Sequence, residues 1–192
     1  MSGGEAEDIK IKKISVYFLI FTSFLLLLTG CRSVKVSDLK EDIDYNFEDS
    51  TVGTFTDALP KDTHTIDVAY TDEINGLEVS VEKIHFSEGL IGMSLSFKNK
   101  SKDKKYSIAA ATRAIRVNSK TTLGPKDLTY VDYDKSYGKL EQQGDTFESL
   151  TYWSLKDVNY KNIKEIDLQV FIIDDSGTSD KSLINFKRKI TL

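Results

Sequence analysis

The sequence predicts an all-β fold, an antiparallel β-sandwich, and three observations carry that expectation. Short apolar runs alternate with period 2, as half-buried strands do. Polar turns rich in Gly, Asn, Asp and Ser separate them at short intervals. Beyond residue 31 no stretch holds the 3.6-residue period of an amphipathic helix.

The folded part is expected over residues 65–192, and its elements follow in order. Thr65-Ile66-Asp67-Val68-Ala69-Tyr70 alternates as a short strand, and Asn75-Gly76 is a strong hairpin turn signal. Leu77, Val79 and Val81 share one face, whereas Ile84 and Phe86 fall on the other phase, which predicts a β-bulge near Glu82 and Lys83. After the Glu88-Gly89 turn, Ile91, Met93, Leu95 and Phe97 alternate with Gly92, Ser94, Ser96 and Lys98, the clearest half-buried strand. The lysine-rich stretch from Asn99 to Lys105 reads as a solvated hairpin loop. Tyr106, Ile108 and Ala110 restart the alternation, and Ala114-Ile115-Arg116-Val117-Asn118 is a further strand. Residues 119–140, with Gly124-Pro125 and Tyr137-Gly138, predict loops around one short strand. Gln143-Gly144-Asp145 turns into a strand with Phe147, Ser149, Thr151, Trp153 and Leu155 on one face. Ile166, Leu168, Val170 and Ile172 form the next row. Ile184, Phe186, Ile190 and Leu192 form the last, with Arg188 interrupting its apolar face. Seven to nine short strands with polar turns point to a sandwich of the immunoglobulin type.

What precedes this domain reads differently. Lys10, Lys12 and Lys13 lead into fifteen uncharged residues, 14–28. A spanning helix needs roughly 20 apolar residues, so this length suits the apolar region of a signal peptide. Leu28-Thr29-Gly30-Cys31 then supplies aliphatic, small, small and cysteine. That run resembles the lipobox of bacterial lipoprotein signal peptides. The resemblance implies cleavage between Gly30 and Cys31, a diacylglyceryl group on the Cys31 sulfur, and anchorage on the extracytoplasmic face of the cell membrane. Two acyl chains give stable anchoring, at about 0.8 kcal/mol per buried CH₂. The three acids Glu5, Glu7 and Asp8 depart from the usual signal-peptide start. Cys31 is the single cysteine, which excludes an internal disulfide and a thiolate-rich zinc site. Residues 1–30 are thus expected to be a signal peptide, and residues 31–64 a lipidated cysteine with a flexible tether. In that tether the acidic run from Glu41 to Asp49, carrying Tyr45 and Phe47, reads as solvated linker or as a docking motif.

The domain also resembles the uncharacterised immunoglobulin-like domains of Gram-positive lipoproteins. The likeness lies in the strand ending Phe97-Lys98-Asn99-Lys100-Ser101, in the Gln143-Gly144-Asp145 turn feeding an aromatic strand, and in the terminal aliphatic strands. It implies a fold and a location and no mechanism.

The formal net charge is −4, from 26 basic and 30 acidic residues, and losing residues 1–30 leaves it unchanged. A mildly acidic chain lacks the basic footprint that nucleic acid requires. No P-loop, Rossmann glycine pattern, Gly-x-Ser-x-Gly or His-Glu-x-x-His is present, and His64 and His85 read as surface or packed residues. No catalytic residue and no cofactor is expected. Asp174, Asp175 and Asp180 share one loop and are weak candidates for a hard cation. Asn185 stands where an EF-hand would place its bidentate Glu. Asp132 and Asp134 flank Tyr133. Among nine tyrosines, Tyr130, Tyr133 and Tyr137 crowd the irregular segment and suggest a contact patch. The chain is therefore expected to be a non-enzymatic, membrane-anchored module that binds a protein or cell-envelope partner. An accessory lipoprotein holding a solute or metal for a membrane complex is the rival, and a hydrolase of unrecognised type the remote third.

Overall fold

The structure is a computed structural model that describes residues 34–45, 58–132, 135–177 and 182–192. Residues 34–192 form one compact unit, and among the described residues there is no α-helix. Eleven strands follow in order: β1 (Lys35–Asp38), β2 (His64–Ile74), β3 (Leu77–Ser87), β4 (Leu90–Asn99), β5 (Tyr106–Val117) and β6 (Thr121–Leu123). Then come β7 (Leu128–Val131), β8 (Tyr137–Leu140), β9 (Thr146–Ser154), β10 (Glu165–Asp174) and β11 (Ser182–Thr191). They build two antiparallel sheets. One has the order β1-β11-β10-β5-β6, with β8 also paired to β5; the other is β2-β3-β4-β9-β7. The expected all-β sandwich is what forms, compatible with an immunoglobulin-like domain.

Alternation dictates the packing. Leu77, Val79, Val81, Ile84 and Phe86 of β3 and Ile91, Met93, Leu95 and Phe97 of β4 are buried against the rows of β5, β10 and β11. Trp153 of β9 lies in the same core, fully buried. Each such large side chain contributes about 1.5–3 kcal/mol by leaving water. The bulge expected near Glu82 is present. The β3–β4 register shifts between Val81 and Lys83, which returns Ile84 and Phe86 to the core face. Asn75 and Gly76 both have positive φ, 55° and 85°, as a two-residue hairpin turn with right-handed strand twist requires. A Cβ on Gly76 would lie 3.0 Å from the Ser101 Cβ, a second reason for glycine there. Arg188 explains its break in the β11 pattern. Its guanidinium lies over the Phe186 ring (4.6 Å), donates to the Tyr70 hydroxyl (2.9 Å) and pairs with Asp38 and Asp72, joining β11 to the other sheet.

Three expectations need correction. The stretch 31–64 is not a tether throughout. Over residues 34–45 the chain adds β1 to β11 and lays Leu39 and Ile43 on the outer face of the first sheet, against Ala114. The Ile43 amide donates to Gln169 Oε1 at 2.6 Å. Backbone pairing and two isolated apolar anchors do this work, and neither leaves a period in the sequence. Residues 119–140 hold β6, β7 and β8 rather than one strand, because each contributes only three or four residues to an edge. The two expected strands around Ala110 are one strand, β5, interrupted where its pairing to β10 slips between Val170 and Ile172. Residues 1–33, and with them Leu28, Thr29, Gly30 and Cys31, lie outside the described residues, as does Phe47.

Candidate functional site

The bulge in β3 that restores the core also presents Lys83 and His85 on the outer face of the β2-β3-β4-β9-β7 sheet. Gly92 and Ser94 of β4 face the same way, with Gly92 opposite His85 and Ser94 opposite Lys83. On β9, Tyr152 stands opposite Gly92. The missing side chain at Gly92 makes room for the Tyr152 ring, since a Cβ there would lie 2.5 Å from it. Tyr130 of β7 meets Tyr152 edge to face, with ring centroids 5.9 Å apart at 76°.

Asp62 completes the group from the segment leading into β2. The Ser87 hydroxyl donates to the Lys61 carbonyl (2.8 Å) and the Thr63 amide to the Phe86 carbonyl (2.8 Å), so the chain is clamped on both sides of Asp62. Asp62 Oδ2 lies 2.8 Å from His85 Nδ1, and the Tyr152 hydroxyl donates to Oδ1 at 2.7 Å. His85 Nε2 lies 2.7 Å from Ser94 Oγ. The carboxylate selects the tautomer with hydrogen on Nδ1, which leaves Nε2 to accept from the Ser94 hydroxyl. Burial and the neighbouring Asp62 charge hold the Tyr152 phenol well above its ordinary range, so it stays a donor. Burial, then Asp132, also pushes Tyr130 up.

This is the connectivity of a serine nucleophile, a histidine base and an orienting aspartate. The remaining requirement is a set of free donors for a developing oxyanion. β4 pairs with β3 on one edge and with β9 on the other along Leu90 to Lys98. The amides beside Ser94 are thereby committed to the sheet. The cation across from Ser94, Lys83, is directed to Asp67 at 3.6 Å. The arrangement fixes Asp62, His85, Ser94 and Tyr152 relative to one another on this face. Past Ser87 the face opens into a cleft of about 490 Å³ lined by Thr63, Glu88, Leu155, Asp157 and Tyr160.

The sequence-expected residues fall elsewhere or only in part within this group. Tyr130 belongs to it. Tyr137 sits on β8 of the other sheet, 52% exposed, with its hydroxyl donating to Ser107 Oγ at 2.9 Å. Tyr133 and Asp134 lie outside the described residues. Tyr130 and Tyr137 therefore lie on different sheets. Asp174 is taken up by the amide and hydroxyl of Ser176 and by Lys104 Nζ at 3.2 Å. Burial pushes its carboxyl up, but the Ser176 and Lys104 bonds outweigh it and hold it below the ordinary carboxylate range. Asp175 accepts from the Ser107 hydroxyl, and Asp180 lies outside the described residues. Among the described residues no three His, Cys, Asp or Glu side chains converge as metal ligands. Asp62, Ser94 and Tyr152 escaped sequence reasoning, because Asp62 stands in apparent tether and Ser94 in an ordinary polar row. The signal available was Gly92 beside the bulge, two features that open space on an outer face.

No protein-family model matches the chain, and no curated protein matches it. Among solved structures, the yjhA protein from Bacillus subtilis superimposes over 53% of this chain and 76% of its own, at 10% identity and a TM-score of 0.38. That likeness is too distant to carry a conclusion.

Proposed function

We propose that the chain is a lipid-anchored binding module on the extracytoplasmic face of a cell membrane, meeting a protein or cell-envelope partner through the outer face of the β2-β3-β4-β9-β7 sheet. Leu28-Thr29-Gly30-Cys31 supports the location. One observation supports the binding face: the half-buried Tyr130 ring is held edge to face against the buried Tyr152 ring, which Asp62, His85 and Gly92 fix in place. Aromatic side chains already fixed lose little entropy on contact, and tyrosine offers apolar area with a polar tip. In cells, a photoreactive side chain at position 130 should give a discrete cross-linked product from the membrane fraction, and Cys31→Ser should release the protein from that fraction or leave it unprocessed. Absence of any adduct at position 130, or normal processing of Cys31→Ser with full membrane retention, would count against the module.

A second reading has its own observation, the contacts of His85 with Ser94 and Asp62. It makes Ser94 the nucleophile of an acyl hydrolase. A fluorophosphonate probe separates the two. The binding module should show labelling no greater than Ser94→Ala does, whereas covalent label on Ser94 that is lost in His85→Ala would establish the hydrolase.

A further inference from the structure

We propose that the interior of the sandwich holds a site for a small monovalent anion at Arg113. Arg113 lies on β5 and is fully buried, among the largest buried side chains. Its Nη2 donates to Ser149 Oγ at 2.5 Å, and its guanidinium sits 5.6 Å from the Phe97 ring centroid. Among the described residues, Nε and Nη1 have no hydrogen-bond partner. Thr151 Oγ1 and Trp153 Nε1 are likewise buried without one among the described residues. Ser149, Thr151 and Trp153 alternate along β9, so all three point into the same interlayer space as Arg113.

The charge stands out against its surroundings. The buried Asp167 has Arg116 at 2.8 Å, Asp127 has Lys156 at 2.8 Å, and Arg188 has Asp38 and Asp72. No described carboxylate pairs with Arg113. Burial pushes its guanidinium down to about 9, with no neighbouring charge contributing, which leaves it cationic at neutral pH. A buried charge persists when it is paired and its donors are used. One positive charge with two nitrogens unpaired among the described residues, flanked by a hydroxyl, calls for one negative charge of compact size. A divalent anion would leave a second charge desolvated.

The fold also supplies an approach. Along one edge of β5, β8 pairs with residues 106–109 and β6 with residues 115–117, so residues 110–114 have no described strand beside them. On the other edge the pairing to β10 skips from Ile108 to Arg113, and the Thr112 hydroxyl bonds back to the Ala109 and Phe171 carbonyls. The ladder is interrupted on both edges immediately before Arg113, where local opening costs least.

The test uses the full chain in mild detergent, with sodium chloride or sodium acetate replacing sodium gluconate at fixed ionic strength. Trp153 is the single tryptophan and lies on the same inner row of β9 as Ser149 and Thr151. Its fluorescence should change saturably. The thermal midpoint should rise by about 3–5 °C at ten times the dissociation constant. Arg113→Met should fold, since an apolar isostere relieves an unpaired buried charge, and should lose both responses. Ser149→Ala keeps the guanidinium and should shift the midpoint of the titration several-fold. Saturation by acetate alone would assign a carboxylate, and by chloride alone a halide. No saturable response in the native chain, or the same response in Arg113→Met, would overturn the site.

Discussion

Phe97→Ala should lower the stability of the folded domain by about 3–5 kcal/mol and its thermal midpoint by roughly 10 °C or more. Phe97 is buried in the middle of the sandwich and stacks on Phe147, with centroids 6.1 Å apart at 29°. Truncation leaves a cavity that neighbouring strands cannot close, because β4 is held on both edges by β3 and β9. It also strips the aromatic face from the Arg113 guanidinium. Phe97→Leu fills most of the volume and should cost distinctly less. The measurement is urea unfolding followed by Trp153 fluorescence. A loss below about 1 kcal/mol for the alanine variant would show that this part of the core is loosely packed.

Arg116→Ala should cost about 3 kcal/mol. Asp167 is fully buried on β10, between two strands that each present a cation directly opposite: Arg116 on β5 and Lys189 on β11. Arg116 supplies both Nε and Nη2 to the same carboxylate oxygen, at 2.9 and 2.8 Å, while Lys189 stays 3.7 Å from the other. Removing Arg116 leaves a desolvated carboxylate facing one distant ammonium. The double variant Arg116→Met, Asp167→Leu removes both charges and should recover most of the loss, since an apolar pair needs no compensation. Equal destabilisation of the single and double variants in denaturant titrations would mean that Arg116 acts through its aliphatic stem and not through its charge.

These two positions show what the sequence makes legible. Phe97 belongs to a clean alternation, and its burial follows from period 2 alone. The shift in phase between Val81 and Ile84 likewise announces the bulge, because a sheet face tolerates no other reading of that pattern. Arg116 and Asp167 look like ordinary polar positions of their strands. Their pairing depends on the β5–β10 register, which joins residues 51 apart and leaves no local trace. The same holds for Asp62, His85 and Ser94. His85 meets Ser94 through a hairpin register, and Asp62 through backbone clamps at Lys61 and Thr63 in a segment without periodicity. β1 was hidden for a related reason: a four-residue edge strand is stabilised by the neighbour it pairs with, and its own side chains carry little pattern. The tyrosines of the irregular segment are a different case. Proximity in sequence groups Tyr130 with Tyr137, but β7 and β8 belong to different sheets.

The proposed placement outside the cytoplasm rests on Leu28-Thr29-Gly30-Cys31. The direct measurement is the mass of the N-terminal peptide released from protein extracted from the membranes of native cells. A peptide beginning at Cys31, with a diacylglyceryl group on its sulfur, is the expected result. A peptide running unbroken through Gly30 into a Cys31 with a free thiol would contradict it.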